Sequence, residues 1–336
     1  MATQRDLSAF SLNLWLSKQG GSVDAFYDGH ILLRELRGTS STSRGVAKQK
    51  KMWRELDGGD YIQDSPRIVQ SRASTKIRGM EEVDATPEEV TKKALWEWAM
   101  YGKIIAIADF DSLRNSGQTK IIDDWQDRVT EAVDRIKYDV EVDIGAANHT
   151  GTSGWAGVNG LDSLINETNT SPTTLAALTR SSYTGWKNKV TDVSASFASV
   201  GGGADDLDVH LAQILAATGL QVDLMLCPAA VWGAMHKYLR SLGQVQFQDN
   251  TAQDAGYPEF RYMGAPVRAS QHIKAESLYT LNTKMLWFAT HKRANFALKE
   301  EQEATQQFGK TRKLCFMGNW GGRRFDCHGV VHDITS

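Results

Sequence analysis

A cysteine and a histidine lie near each other in the stretch VDLMLCPAAVWGAMHKYLR, residues 222–240. They are Cys227 and His236, and a thiol with an imidazole base is a common pair for nucleophilic catalysis. Pro228 favours a helix start, which would place Cys227 at a helix N-terminus, where the pKa of a thiol falls. Nine residues of helix, however, would separate the two side chains by roughly 13 Å. Cys227 is therefore predicted to be a buried structural cysteine, with a cytosolic thiol hydrolase kept as a rival hypothesis.

Two cysteines and two histidines near the end of the sequence suggest metal binding as a second chemistry. They are Cys315, Cys327, His328 and His332. In an extended strand Cys327 and His328 point to opposite faces, and His328 and His332 stand roughly 13 Å apart. Tetrahedral zinc needs its ligands about 2 Å from one point, usually on short turns. The spacing therefore predicts no metal site.

The glycine-rich stretch SVGGGADD, residues 199–206, precedes a predicted helix, as phosphate-binding loops do. It lacks the GK[ST] signature, and its two aspartates would repel phosphate. No GxSxG, HExxH or CxxC motif occurs in the sequence. We therefore predict no catalytic residue and no cofactor, so that the protein is not an enzyme.

The composition is that of a globular protein with one large or two medium domains. The 336 residues are 41% hydrophobic and 23% charged, and the formal net charge is −2, which gives no overall attraction to nucleic acid or to an anionic membrane. Three cysteines cannot all pair within one chain, which fits a reducing compartment. The N-terminus does not resemble a signal peptide, and no apolar run approaches the length of a membrane span. These features predict a protein made in cytoplasm.

Basic residues are concentrated in one stretch near the N-terminus. Residues 37–54, rich in Ser, Thr and Gly, carry six Lys or Arg and no acid. Such a composition is typical of a solvated flexible arm, and it also suits an arm that docks on an acidic neighbour or on packaged nucleic acid. Residues 1–54 are therefore predicted to form an N-terminal arm.

A long hairpin and a long helix are predicted to follow the arm. Residues 55–95 read as two strands joined by a charged turn, and an isolated ribbon of that kind is marginal in water, so it needs a partner surface. From Ile121 to Val140 apolar residues recur at three- and four-residue spacing, which predicts a helix over about 118–142.

The second half of the chain has the pattern of an α/β layer followed by strands. Residues 205–219 predict a helix capped by Asp205 or Asp206 and ended by Gly219, with a buried stripe that includes Leu215. A buried strand over 220–226 and a helix from Pro228 follow. The segments that come after a polar linker predict a succession of strands, so the fold class is α+β.

In its order of elements the chain resembles the major capsid proteins of tailed bacteriophages, which have the Hong-Kong-97-type fold. The resemblance depends on the strand, proline and helix at 222–240 with Trp232, and on FRYMGAPVRAS at 260–270, whose G-x-P-V turn is typical of the family. LYTLNTKMLWFATHKRANFALKE and the closing GNWGGRRFDCHGVVHDI also fit. The motifs are short, but together they cover nearly the full chain.

The resemblance implies a domain organisation for each part of the chain. Residues 1–54 would be the N-terminal arm and 55–95 the extended loop. Residues 96–145 and 306–336 would form the peripheral domain, with the helix at about 118–142 as its spine helix, and 146–305 the axial domain. Contacts between subunits are then expected from the extended loop at Lys76, Arg78, Met80, Glu81 and Glu82.

The resemblance also implies a function and partners. The chain would assemble into pentamers and hexamers of an icosahedral shell in the host bacterial cytoplasm and become part of the virion. A portal protein, separate scaffolding and decoration proteins, and non-specific contact with packaged double-stranded DNA are implied, and no membrane. Some relatives link their subunits covalently through a lysine and an asparagine, and Lys76 and Asn319 occupy broadly suitable regions here. Within the same fold, the alternative is an encapsulin-like nanocompartment.

Overall fold

A computed structural model of the chain describes residues 32, 53–67, 90–108, 118–150, 154–197, 202–241, 260–303 and 308–335. These residues form a mixture of helices and sheets, which confirms the predicted α+β class. No helix within these ranges has the length and the apolar character needed to cross a membrane.

The elements are numbered in chain order. The strands are β1 Trp53–Leu56, β2 Ile62–Asp64, β3 Ala94–Trp96, β4 Ala99–Ala108, β5 Thr174–Leu175, β6 Leu178–Thr179, β7 Lys189–Ser196, β8 Leu224–Cys227, β9 Phe260–Tyr262, β10 Ala265–Ala269, β11 Leu278–Leu281, β12 Leu286–His291, β13 Ala297–Leu298, β14 Gln302–Glu303, β15 Gly309–Gly322 and β16 Gly329–Thr335. The helices are α1 Gln118–Gly145, α2 Leu161–Leu164, α3 Gly203–Thr218 and α4 Ala229–Ser241.

The chain folds into two compact units. The first unit takes its described residues from Met1–Asp60, Trp98–Asn159 and Phe288–Trp320. The second unit takes them from Tyr61–Glu97, Gly160–Trp287 and Gly321–Ser336. Each unit is therefore assembled from three separate stretches of sequence.

The sheet of the first unit is built around β15. β15 pairs antiparallel with β4 from Gly309 opposite Ala108 to Gly318 opposite Ala99. The sheet order is β1-β12-β15-β13, and β14 also pairs with β15. β1 lies parallel to β12, with the Trp53 ring stacked 4.6 Å from the Phe288 ring. A strand that precedes the hairpin thus forms one end of this sheet.

Helix α1 confirms the helix predicted over about 118–142 and extends it to Gly145. The helix packs along β4, and the three- and four-residue spacing of its apolar residues gives it one apolar face. The Tyr101 hydroxyl of β4 donates a hydrogen bond to Asp143 Oδ2 at 2.5 Å, and burial raises the pKa of both groups. The buried side chains of α1 include Val129, Ala132, Val133, Ile136, Val140 and Ile144.

The sheet of the second unit has the order β7-β16-β11-β8-β10-β9. The pairs β7/β16 and β8/β10 are parallel, whereas β11 is antiparallel to both β8 and β16. All four residues of β8 are buried, as the run Leu224–Cys227 predicted. Side chains of α3 and α4, among them Leu207, Trp232 and Met235, pack with this sheet in one hydrophobic core.

Helix α3 corrects two predictions. It begins at Gly203 with Gly202 as its N-cap, so Asp205 and Asp206 lie in the first turn and are not the cap. Leu215, predicted to be buried, is 46% exposed. The buried positions Leu207, His210 and Ile214 define the inner stripe, and Leu215 lies about 100° away from Ile214 around the helix. The predicted end at Gly219 is confirmed, with φ +68°.

His210 joins α3 to three strands of the second sheet. It is fully buried, with Nδ1 2.9 Å from the Thr191 hydroxyl of β7 and Nε2 3.1 Å from the Thr280 hydroxyl of β11. Burial lowers the pKa of this imidazole to about 4, so it is neutral at pH 7. Gly329 of β16 leaves room for the ring, because a Cβ there would lie 2.2 Å from His210 Nε2.

The two units also differ from the predicted domain boundaries. The sequence groups 306–336 with 96–145, but β16 lies in the second sheet, between β7 and β11. Conversely, Phe288–Trp320 belongs to the first unit, although the boundary was placed at 306. Apolar runs such as Gly329–Thr335 indicate a buried strand without indicating which sheet it joins.

We expect the substitution Gly329→Ala to lower the free energy of unfolding by about 1 to 3 kcal/mol, because the new methyl group would overlap the buried His210 ring. Gly233→Ala, in helix α4, is the matched control, since a Cβ at that position meets nothing within 4 Å. It should stabilise the protein by about 0.5 to 1 kcal/mol. Urea unfolding followed by tryptophan fluorescence measures both, and equal effects of the two substitutions would contradict the packing described for His210.

Candidate assembly site at the base of the hairpin

Strands β2 and β3 form the base of a hairpin in the second unit. They pair antiparallel with Ile62 opposite Trp96 and Asp64 opposite Ala94. The pairing continues with a bridge between Arg67 and Thr91. The polypeptide between these two positions includes residues 68–89, which lie outside the described residues.

The expected subunit contacts Lys76, Arg78, Met80, Glu81 and Glu82 all fall within residues 68–89. They stay predictions. Strands β2 and β3, which lead into and out of this segment, form the base of the hairpin.

An aromatic cluster holds β3. The Trp96 ring is buried, with its centroid 5.8 Å from that of Trp287 in an edge-on arrangement and 6.2 Å from that of Trp186. Trp186 in turn lies 4.9 Å from Phe325, also edge-on. Edge-to-face aromatic pairs contribute about 0.5 to 1.5 kcal/mol beyond their buried area. A Cβ at Gly321 would lie 3.0 Å from both Trp287 and Trp96, so glycine permits this packing.

A second, small hairpin supports β3 through the backbone. The Leu95 amide donates to the Ala176 carbonyl at 3.0 Å, and Trp186 Nε1 donates to the Leu175 carbonyl at 3.2 Å. Ala176 and Ala177 form the turn between β5 and β6 with φ of +52° and +64°. Left-handed backbone is costly for alanine, so the surrounding contacts must maintain this turn.

A fully buried arginine organises the segment that carries this small hairpin. Arg180 donates to the carbonyls of Ser163, Leu164, Ser171 and Trp186, and to Asn188 Oδ1, over 2.6 to 3.2 Å. Its guanidinium carbon also lies 5.6 Å from the centre of the Phe325 ring. Burial lowers the pKa of Arg180 to about 10, so it remains charged at pH 7.

The base of the hairpin is therefore joined to a rigid support. Trp96 and Leu95 contact residues 174–186, and Arg180 fixes that segment by five hydrogen bonds. Arg323 adds a long ion pair to Asp64, 3.7 Å between Nε and Oδ2. Such an arrangement can hold the paired strands β2 and β3 in one orientation. Sequence patterns gave no indication of Arg180, because it lies in a Ser- and Thr-rich stretch without helix or strand periodicity.

Asn319, considered as a partner of Lys76 for a covalent bond between subunits, is buried in the first unit. Its Oδ1 accepts hydrogen bonds from the Asn159 amide at 3.0 Å and the Trp320 amide at 2.8 Å, and its Nδ2 donates to the Thr150 hydroxyl at 3.1 Å. In this conformation the side-chain amide of Asn319 forms hydrogen bonds within its own chain. Lys76 lies outside the described residues.

The thiol of Cys227 is buried at the end of β8, where Sγ lies 3.8 Å from the Arg268 carbonyl oxygen. Burial raises the pKa of this thiol to about 12, the opposite of the shift that a nucleophile requires. Helix α4 begins at Ala229, one residue after the predicted start at Pro228. This environment agrees with a structural cysteine.

The four residues considered for metal binding lie in different environments. Cys315 is buried on β15, opposite Gly102 and Ala297. His328 is fully buried, accepts a hydrogen bond at Nδ1 from the Asn282 amide, and has its pKa lowered by burial to about 3. The Cys327 thiol lies 3.4 Å from the Arg324 carbonyl oxygen, and burial raises its pKa. His332 lies on β16 near two aspartates that the sequence analysis did not single out.

The substitution Arg180→Lys should lower the free energy of unfolding by about 3 kcal/mol or more. A lysine keeps the buried charge but has three donors in place of five, so carbonyl groups lose their partners. Arg323→Lys is the control, because that side chain is 47% exposed and its ion pair is long. It should change stability by about 0.5 kcal/mol or less. Urea unfolding followed by fluorescence, to which Trp186 contributes, compares the two, and similar losses would contradict the role given to Arg180.

We expect the three cysteines of the folded chain, all buried, to resist a disulfide reagent at pH 8. The raised pKa of Cys227 leaves almost no thiolate at that pH. Absorbance after addition of the reagent should show a slow reaction in buffer and rapid labelling of three thiols in denaturant. Rapid labelling of Cys227 in the folded protein, identified by mass spectrometry, would revive the thiol hydrolase hypothesis.

No protein-family model matches the sequence, and no curated protein matches it. Solved structures do match. The cyanophage A-1(L) capsid asymmetric unit aligns with a TM-score of 0.55 at 12% identity, over 91% of this chain and 99% of that chain. The capsid of a native GTA particle aligns with a TM-score of 0.57 at 13% identity, over 89% and 95% of the two chains.

A third match is the satellite phage P4 procapsid that includes the size determination (Sid) protein. It aligns with a TM-score of 0.52 at 12% identity, over 99% of this chain and 98% of that chain. At these identities the similarity concerns the fold, and it extends over nearly the full length of all the chains compared. The chain therefore has the phage major capsid protein fold.

Proposed function

We propose that the chain is the major capsid protein of a tailed double-stranded DNA bacteriophage and assembles into the pentamers and hexamers of an icosahedral shell. The observation that carries this proposal is the structural match to three capsids over nearly the whole chain. A fold retained at this length with 12 to 13% identity is consistent with a shared role in which shape matters more than a set of reactive side chains.

The two units take the roles of the two domains of such a protein. The first unit serves as the peripheral domain, with α1 as its spine helix, because 28 residues of helix give a stiff element about 42 Å long. The second unit serves as the axial domain, with its mixed sheet and helices α3 and α4. The N-terminal arm, residues 1–54, is proposed to lie against neighbouring subunits.

The hairpin is proposed to make contacts between subunits. Its base is held by the Trp96 cluster and by the segment organised around Arg180, so a load on the ribbon is transmitted to a rigid body. Within the segment between the paired strands, Lys76, Arg78, Met80, Glu81 and Glu82 combine charges of both signs with one apolar side chain, a composition suited to the rim of an interface.

The proposed partners follow from a role in the shell. They are a portal protein at one vertex, separate scaffolding and decoration proteins, and packaged double-stranded DNA. Contact with DNA should be weak and independent of base sequence, since the formal net charge is −2 and the basic residues are concentrated at 37–54. The proposed location is the virion, after assembly in the cytoplasm of the host bacterium.

We expect the overexpressed chain, alone or with a co-expressed scaffolding protein, to form closed shells with pentamers at the vertices and hexamers between them. Electron microscopy of the purified particles tests this, and a chain that remains monomeric at high concentration under both conditions contradicts it. Particles isolated from phage-producing cells should contain double-stranded DNA. A protein cargo in place of DNA would support the encapsulin-like alternative.

Cys227→Ala provides a control for the assembly experiment. Because the thiol is buried and its Sγ makes one long contact, the substitution should leave shell formation intact, at a cost of about 1 kcal/mol in stability. A thiol-dependent hydrolytic activity in the parent chain that this substitution abolishes would favour the hydrolase hypothesis over a shell protein.

A further inference from the structure

A histidine and an aspartate lie side by side on two neighbouring strands of the second sheet. β7 and β16 run parallel, and their register places His332 directly opposite Asp192. Residues opposite each other in a sheet project from the same face. The imidazole and the carboxylate therefore share one surface, although they are far apart in the sequence.

An irregularity in β16 adds a second carboxylate. The register shifts between His332 and Ile334, and Asp333 adopts φ +59°. In a regular strand Asp333 would point away from His332, because side chains alternate between faces. Here Asp333 Oδ2 lies 3.0 Å from His332 Nδ1. The bulge thus brings the side chains of His332 and Asp333 within hydrogen-bonding distance of each other.

We propose that Asp192, His332 and Asp333 form a binding site for a divalent transition-metal ion such as Zn²⁺. One ligand atom from each residue lies within 4.8 Å of the other two. Bonds of about 2.0 to 2.2 Å to one ion require ligand atoms roughly 3 to 3.5 Å apart, so small side-chain rotations complete the geometry. Within the described residues this is the one group of at least three such side chains with that proximity.

The surroundings suit an accessible ion. The side chain of His332 is 14% exposed and that of Asp333 is 58% exposed, so an ion can enter from solvent and water can fill the remaining coordination positions. Lys274 also lies near Asp333, but its ammonium group is 2.6 Å from Glu167 Oε1, and that ion pair offsets its repulsion of a cation. With two carboxylates and a neutral imidazole, the three ligands carry a charge of −2.

The ligand types determine which ions are favoured. An imidazole nitrogen with two carboxylates suits Zn²⁺ and neighbouring first-row ions, whereas Ca²⁺ and Mg²⁺ prefer sites made of oxygen alone. The bound ion would link β7 to β16, and a ligand that binds the folded state alone raises its stability. This site would bind metal whether or not the chain forms a shell, so failure of the proposed function would leave it intact.

The experiment uses the full-length chain after treatment with EDTA and dialysis. Isothermal titration with Zn²⁺ should show one saturable site that Ca²⁺ at the same concentration does not fill, and thermal unfolding should shift upward with Zn²⁺. His332→Gln and Asp192→Asn should each weaken Zn²⁺ binding at least tenfold. His291→Gln, which removes a histidine of the first unit, is the control and should leave that affinity unchanged.

Asp192 is exposed and the side chain of His332 is partly buried, so the variants should unfold close to the temperature of the parent chain when no metal is present. That measurement separates a lost site from a lost fold. Zn²⁺ binding that is equal in the parent and His332→Gln chains, or no saturable binding, would overturn the proposal and leave His332 and Asp333 as an ordinary ion pair. A larger response to Ca²⁺ than to Zn²⁺ would overturn it as well.

Discussion

A buried guanidinium group, stabilised by carbonyl oxygens and not by a carboxylate, determines the conformation of the segment that supports the hairpin. Transfer of an isolated charge into a protein interior costs many kcal/mol, and Arg180 compensates this cost with five hydrogen bonds to neutral groups. The carbonyl groups come from α2, from Ser171 and from the turn at Trp186, so these pieces must converge on one point. A chain of contacts then leads from this point through Trp186 and Trp96 to the base of the hairpin.

This arrangement explains why a segment with little regular structure can be rigid. Residues 160–188 contain one turn of helix, two-residue strands and 3-10 turns, which contribute few backbone hydrogen bonds of their own. The guanidinium group takes the place of the backbone hydrogen bonds that regular strands would form, because its donors point in fixed directions within one plane. The left-handed turn at Ala176 and Ala177 is maintained in the same way, through contacts made elsewhere.

Hydrophobic periodicity predicted where helices and strands form better than it predicted which strands pair with each other. The helix over 118–142, the strand that ends at Cys227 and the helix after Pro228 are all present, because each has an apolar pattern that local sequence contains. The choice of sheet for β16 depends on pairing over long distances, which no local pattern encodes. The buried face of α3 was predicted incorrectly because it includes His210, a polar residue, and does not include Leu215.

The subunit contacts implied by the resemblance, at Lys76, Arg78, Met80, Glu81 and Glu82, stay predictions. The support of the hairpin base was missed, because Arg180 lies in a stretch rich in Ser and Thr that resembles an ordinary loop. Burial determines the properties of the cysteine and histidine considered for catalysis and metal binding. It raises the pKa of the Cys227 thiol and lowers the pKa of the His328 imidazole. The grouping of Asp192 with His332 and Asp333 depends on a bulge that sequence patterns do not reveal.

The position of β15 and β16 has a consequence for synthesis of the protein. They are the last two of the sixteen strands among the described residues, yet β15 is the strand on which β4, β13 and β14 pair, and β16 lies between β7 and β11. Translation proceeds at about 5 to 20 residues per second, so the earlier strands wait many seconds on the ribosome with their pairing edges open. Neither sheet can form completely before these strands emerge, so polypeptides that the ribosome releases early should lack both complete sheets.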